Sequence, residues 1–494
     1  MTEVIIKYVE LGEIEKVKEF LAKATELDPT ILQSAFQSAA EAGKTDLVSL
    51  LLPERPSGSV DPNADEGLAL RLAVKNGKID TALRILEDPR TDPAVENNYV
   101  LKMACANGYQ PILAKIIGKI NPAVSENYAL RWAATYGHTS VVELLMKDTR
   151  VDPAVYNQYP LRIAAERGYY EIVQLLLANQ NVIPSILDQY PIRMASKNGH
   201  TEIVKRLLQD SRVDPTVEKN ACFIMAASNG HLDIVNLLAA DSRVNVAANK
   251  NIAFRKACEK GHLETVRTLL KNKQVDPSAE ADEGFRLACF FGYKEIVTLM
   301  LVDPRIDPTR KDNEAFRYVC QKGHLELVTA LLSDPKIDPT TNDNEAFRTA
   351  SANGFLEIVR RMLVDRRTNP SANDEEALRE AASNGHLEVV RLLLQDPRIN
   401  PSAKQNDALL RASKNGHAEI VKLLLETKGT EPTHYIVQVA QPAIRDILMQ
   451  DSRLDPVIRD DEQFLTEEEK LARTKVQIGG KRTTRKKSNR KHTK

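Results

Sequence analysis

Residues 378–401 read LREAASNGHLEVVRLLLQDPRINP. The same phrase returns at 409–432 as LLRASKNGHAEIVKLLLETKGTEP, and it precedes itself at 347–370 as FRTASANGFLEIVRRMLVDRRTNP. With the glycine as marker, it falls at Gly12, Gly43, Gly77, Gly108 and Gly137, then every 31 residues from Gly137 to Gly416. Self-similarity at a fixed interval of this length marks a stacked array of small units, and it overrides a domain count made from the 494-residue length.

Each unit carries its own local signals. From Gly43 on, four residues before the glycine stands an alanine (Ala133, Ala164, Ala195, Ala226, Ala257 and so on), with Val319 the exception. So small a side chain lets helices approach closely. The stretch before the glycine is helix-compatible for about two turns, and Asn often precedes it: Asn98, Asn127, Asn220, Asn251, Asn313, Asn344 and Asn406. Asn is a good N-cap type, so these residues are expected to cap the first helix. The glycine ends that helix, where positive φ is wanted. The next stretch, such as LEVVRLLLQ, has apolar residues at helical spacing, and an Asp-Pro or Asn-Pro pair closes many units. Two helices this short are marginal alone. Stacking lets each unit bury its apolar face on its neighbours, which gives one continuous core.

The phrase resembles the ankyrin repeat. EALREAASNGHLEVVRLLL (376–394) and YPLRIAAERGYYEIVQLLL (159–177) match that family's frame, and the likeness covers about residues 5–432. It implies an all-α helix-pair solenoid of about 14 to 15 units. At about 10 Å per stacked unit its length would be roughly 140 Å. The period is 31 rather than the usual 33, with the missing residues in the finger. A shorter, turn-rich loop is therefore expected in place of a long β-hairpin. Residues 433–456 read as a degenerate C-terminal cap, closing a domain at 1–456. An acidic, amphipathic linker (457–480) and a disordered basic tail (481–494) follow. The D-P-R-I-D-P punctuation resembles long arrays of amoebae and of the large DNA viruses that infect them.

Bulk composition narrows the function. The formal net charge is zero, yet 481–494 carries eight basic residues and no acid, so the rest of the chain sums to minus eight. No signal peptide and no apolar run of roughly 18 residues is visible, which argues against secretion and membrane spanning. Five Cys fit a reducing interior, so the expectation is an intracellular monomer, cytoplasmic or nuclear, possibly in a host cell. Cys105, Cys258, Cys289 and Cys320 lie three residues before the glycine and read as small buried residues. Cys222 has no place in that register. Seven His follow the glycine: His138, His200, His231, His262, His324, His386 and His417. Zinc needs ligands at about 2 Å, whereas stacked pairs sit about 8–10 Å apart. Each His is therefore expected to fix the turn between its two helices. No metal, cofactor or catalytic constellation is expected, and the chain is read as a non-enzyme.

Candidate contacts lie nearer the start of the first helix. Six residues before the glycine runs an arginine column that includes Arg131, Arg162, Arg193, Arg286 and Arg379. Three residues earlier stands Glu283, Glu314, Glu345 or Glu376 in the C-terminal half. Each of these is expected to pair with the Arg three residues on. In the N-terminal half the position holds Tyr99, Tyr128, Tyr159 and Tyr190. The resemblance places this face near the groove that ankyrin proteins use for partners, and Tyr and Arg dominate interface energetics. These four Tyr, with Arg131, Arg162 and Arg193, are the candidates for a partner carrying acidic groups. The competing reading has Tyr packing on its own loop and Arg bonding backbone carbonyls.

The leading functional expectation is a protein-interaction scaffold or adaptor. One alternative is a nuclear or nucleic-acid-associated protein using Lys481, Arg482, Arg485, Lys486, Lys487, Arg490, Lys491 and Lys494. Without aromatics, that tail would bind nucleic acid without sequence preference. Another alternative is a host-directed effector linking a target to ubiquitination machinery, for which 461–477 (DEQFLTEEEKLARTKVQ) is the only candidate recruiting segment.

Overall fold

In the computed structural model, residues 2–23, 28–55 and 58–459 are described. The basic tail, the 461–477 segment and most of the linker lie outside them. The chain divides into two compact units, residues 1–253 and 254–494. The described residues hold fifteen helix pairs and no strand, from Thr2–Leu11 with Ile14–Lys23 to His434–Val439 with Pro442–Met449. A four-residue helix, Pro456–Arg459, follows.

The sequence register becomes layers. The alanine column is fully buried at Ala133, Ala164, Ala195 and Ala350. Seven residues before each glycine a large side chain fills the space this leaves: Leu130, Leu161 and Ile192 in the first unit, Phe285, Phe316 and Phe347 in the second. Second helices contribute paired Ile or Val, such as Val389 and Val390, and a Leu one turn on (Leu393), all buried. Within each unit, first helices stack on first helices and second on second.

The first helix does not begin as its Asn suggested. Ser125, Glu126 and Asn127 have φ/ψ near (51, 47), (55, 56) and (53, 41): one left-handed turn before the right-handed helix. Twelve units open this way, from Asp65–Gly67 to Lys404–Asn406. For residues other than glycine that conformation costs roughly 1–2 kcal/mol each. Asn tolerates it best, which explains Asn in the third position. Its side chain does not cap its own helix. Asn127 Oδ1 accepts from Asp152 N (2.8 Å), Asn220 from Asn245 N, Asn313 from Asp338 N and Asn344 from Asn369 N. At these four turns the buried amide thus ties the turn to the loop of the next unit.

Two further ties account for the repeated phrase. In S-K-N-G-H, Asn415 and His417 both donate to Ser383 O, at 2.7 and 2.9 Å. Asn384 and His386 do the same to Ala352 O. The histidine therefore braces the turn of the preceding unit rather than the one between its own helices. In D-P-R, the arginine closes on the aspartate two residues back and reaches a carbonyl thirty residues back. Arg398 Nε and Nη2 grip Asp396 while Nη1 donates to Thr368 O at 3.0 Å. Arg212, Arg243, Arg305 and Arg367 repeat the clamp. Each guanidinium holds its aspartate below the usual carboxylate range. Cys222 now has a place: it is buried, and burial pushes its thiol up to about 12.

Two units replace the amide with a carboxylate and yield a pH prediction. Where neighbours have Asn or Gln, Asp282 and Glu375 bury a carboxylate, and burial raises both above the usual range. Asp282 Oδ1 accepts from Asp307 N at 3.3 Å; Oδ2 has no hydrogen-bond donor, with Arg310 Nε beside it at 3.2 Å. A carboxyl raised in the folded state favours folding when protonated and opposes it as pH rises through the folded value. Asp282→Asn should therefore stabilise the second unit by about 1 kcal/mol at neutral pH. The gain should shrink as pH falls through the raised folded value and be gone below about pH 4. Urea midpoints across that range check it; a gain independent of pH would refute it.

Candidate protein-binding surface

The candidate residues sit where the left-handed turn meets the first helix. In Val124–Tyr136, Arg131 turns back over its own turn: Nε donates to Glu126 O (3.0 Å) and Nη2 to Ser125 O (3.2 Å). Arg162 does the same to Asn157 O and Tyr156 O, and Arg71 to Glu66 O and Asp65 O. These arginines therefore serve the fold, because each of the three forks satisfies two carbonyls that the turn directs away from the helix ladder.

The tyrosines then stack on these cations. The Arg131 guanidinium lies 5.9 Å from the Tyr128 ring and 4.6 Å from that of Tyr156. Arg162 lies between Tyr159 (5.8 Å) and Tyr190 (5.5 Å). Arg71 faces Tyr99, and Lys102 faces Tyr128. Rings and cations alternate along the first unit, all half-buried except Tyr156, which is exposed. Tyr190 donates to Glu166 (2.8 Å), and its phenol is raised by burial and then by that carboxylate.

The third guanidinium nitrogen distinguishes Arg131 and Arg162 from the other arginines of the column. In the second unit Nη1 meets a carboxylate from the following repeat: Arg255 with Glu283, Arg286 with Glu314, Arg317 with Glu345 (2.6 Å), Arg348 with Glu376 (2.5 Å) and Arg379 with Asp407 (2.9 Å). This corrects the expected pairing of Glu with the Arg three residues on in the same helix. The stack puts each Glu beside the preceding repeat's Arg, whose other nitrogens are already held by its turn. In the first unit Arg193 Nη1 meets Glu218 at 2.5 Å. Arg131 and Arg162 Nη1 have neither hydrogen bond nor ion pair among the described residues. The next repeat offers them Tyr156 with Tyr159, and Leu187 with Tyr190, instead of an acid.

The sequence reading missed three aromatics here. Trp132, the chain's single tryptophan, stacks on Tyr128 with centroids 4.8 Å apart, and Tyr136 continues the row at 5.4 Å. Their spacing of four residues along one helix was the available signal. Trp132 is half-exposed and Tyr136 is 49% exposed, so the row reaches solvent. The third is Tyr156, in the left-handed turn, where no periodicity marks it.

Comparison with known proteins adds the following. The family pattern described as ankyrin repeats (3 copies) matches residues 101–188, 192–281 and 347–436, more than half of the chain. Among solved structures, the chain is similar to the ankyrin repeat domain of Bcl-3, described as a unique member of the IkappaB protein family. The identity is 22%, over 40% of this chain and 96% of that one, with a TM-score of 0.33. No curated protein matches the chain.

Proposed function

The chain belongs to the ankyrin-repeat family, and from that premise we propose that it is a non-enzymatic scaffold or adaptor that binds other proteins through the first helices of residues 99–193. The observation that carries this reading is the concentration there of half-exposed Tyr99, Tyr128, Tyr159 and Tyr190, joined by Trp132 and Tyr136, with Arg131, Arg162 and Arg193 between them. Such residues form interface hot spots, and the rings bring large contact area with few rotatable bonds. Their mutual stacking orders them before any partner arrives, which lowers the entropic cost of binding. The Asp-Pro-Arg punctuation supports placing the chain with the long arrays of amoebae and large DNA viruses. No helix among the described residues is long and apolar enough to cross a membrane.

Proximity labelling in cells tests the proposal, comparing the intact chain with a variant carrying Tyr→Ala at 99, 128, 159 and 190. The expected result is loss of a defined set of labelled proteins while thermal unfolding shows the variant still folded. An unchanged set refutes the surface. Removing 481–494 in parallel tests the basic-tail reading, which predicts that labelling of nucleic-acid-bound proteins disappears with the tail.

A further inference from the structure

We propose that Arg131 and Arg162 each receive a carboxylate side chain from one acidic linear segment of a partner, laid across successive repeats in extended form. This rests on the binding surface proposed above and names the chemistry of what it binds. The fold displays the ligand itself. Five arginines of the second unit present Nη1 to a Glu or Asp of the next repeat. Arg131 and Arg162 hold the same pose, with Nε and Nη2 fixed on their own turn, but Tyr159 and Tyr190 occupy the position of that acid. A guanidinium already oriented by two hydrogen bonds and an aromatic ring presents its remaining donors without further ordering.

Spacing fixes the register of the segment. Stacked helices lie about 8–10 Å apart. An extended chain advances about 3.3 Å per residue. Carboxylates three residues apart therefore meet both arginines, and the residues between them pass the rings of Tyr156 and Tyr159. A nucleic acid fits less well. Glu126, whose carboxylate raises the neighbouring Tyr156 phenol, and Glu166, which accepts from Tyr190, lie near the two arginines and would repel a continuous row of phosphates.

The test uses the full chain and labelled peptides read by fluorescence anisotropy: one with Glu at every third position, one with Gln there, and a single-stranded oligonucleotide. The Glu peptide is expected to bind at least about tenfold more tightly than the Gln peptide, as befits charge-assisted hydrogen bonds. Tyr159→Glu with Tyr190→Glu transplants the second unit's arrangement and closes the sites from within. It should abolish the preference for Glu while leaving the melting temperature unchanged or higher. Tyr159→Gln with Tyr190→Gln loses the same rings but keeps Nη1 open, and should retain the preference. Equal binding of the two peptides, absence of binding, tighter binding of the oligonucleotide, or an undiminished preference in the Glu variant would each overturn the proposal. If any of these occurs while proximity labelling still depends on the tyrosines, the acidic ligand is wrong and the protein-binding surface stands. If labelling is also independent of them, the surface itself is wrong.

Discussion

Gly385→Ala is expected to cost the second unit about 3 kcal/mol. Three effects combine. Gly385 holds φ +83, where a Cβ is disfavoured by roughly 1 kcal/mol. That Cβ would lie 2.7 Å from His417 Cε1 and 2.9 Å from Nδ1, closer than real contacts permit. Moving the ring adds overpacking of about 1–3 kcal/mol. It also loosens the bond from His417 to Ser383 O, worth about 1 kcal/mol. Hydrogen exchange over residues 372–426, together with the urea midpoint, reads the effect where it arises. Gly429→Ala is the control: φ is +94 and nothing lies within 4 Å of its Cβ, so only the backbone contribution of about 1 kcal/mol should appear. Gly385→Ala combined with His417→Ala removes the clash and should be less destabilised than the sum of the single changes. Strict additivity would show that the ring is not the obstacle.

What the sequence made legible follows from how local each signal is. The alanine column, the glycine turn and the apolar stripe of the second helix are properties of one unit, and they repeat in register. The expected turn-rich loop in place of a β-hairpin is likewise present, since no strand occurs among the described residues. The ties between units were not legible. Asn127 and its equivalents carry the right chemistry for an N-cap, but their acceptor faces a backbone N–H twenty-five residues on. The left-handed turn was invisible because Ser125, Tyr156 and Leu187 occupy its first position without any shared preference. Glu283 and Arg286 look like a helical pair because spacing along one helix is all a sequence shows, whereas the stack offers each a partner 28 residues away. Asp396 and Arg398 read as punctuation, and only the fold reveals the carbonyl of Thr368 between them and the preceding unit. For the candidate surface, the Tyr and Arg columns were visible as columns. Which arginines keep a donor open depended on the acid or ring that the next repeat brings.

Arg286→Ala should be among the most damaging single changes in its column, at about 3–5 kcal/mol. The side chain is buried, with 7% exposure. Nε donates to Ala281 O (2.9 Å), Nη2 to Glu280 O (3.1 Å), and Nη1 meets Glu314. Truncation leaves two carbonyls of a left-handed turn without their donor, each costing about 1 kcal/mol or more. It also leaves Glu314, held otherwise by Tyr318 Oη at 3.0 Å, without a cation in a half-buried site. Arg286→Lys should recover little, because one ammonium cannot place three donors in a planar fork. Adding Glu314→Gln to Arg286→Ala should recover the part due to the stranded charge. Denaturant midpoints of the three variants separate these contributions. Arg131→Ala provides the comparison: with no carboxylate on Nη1 it should cost only about 2 kcal/mol, that of the two carbonyl bonds. Equal losses at positions 131 and 286 would mean that the acid of the next repeat contributes nothing. The difference between a guanidinium committed to the fold and one with a donor left for a partner would then disappear.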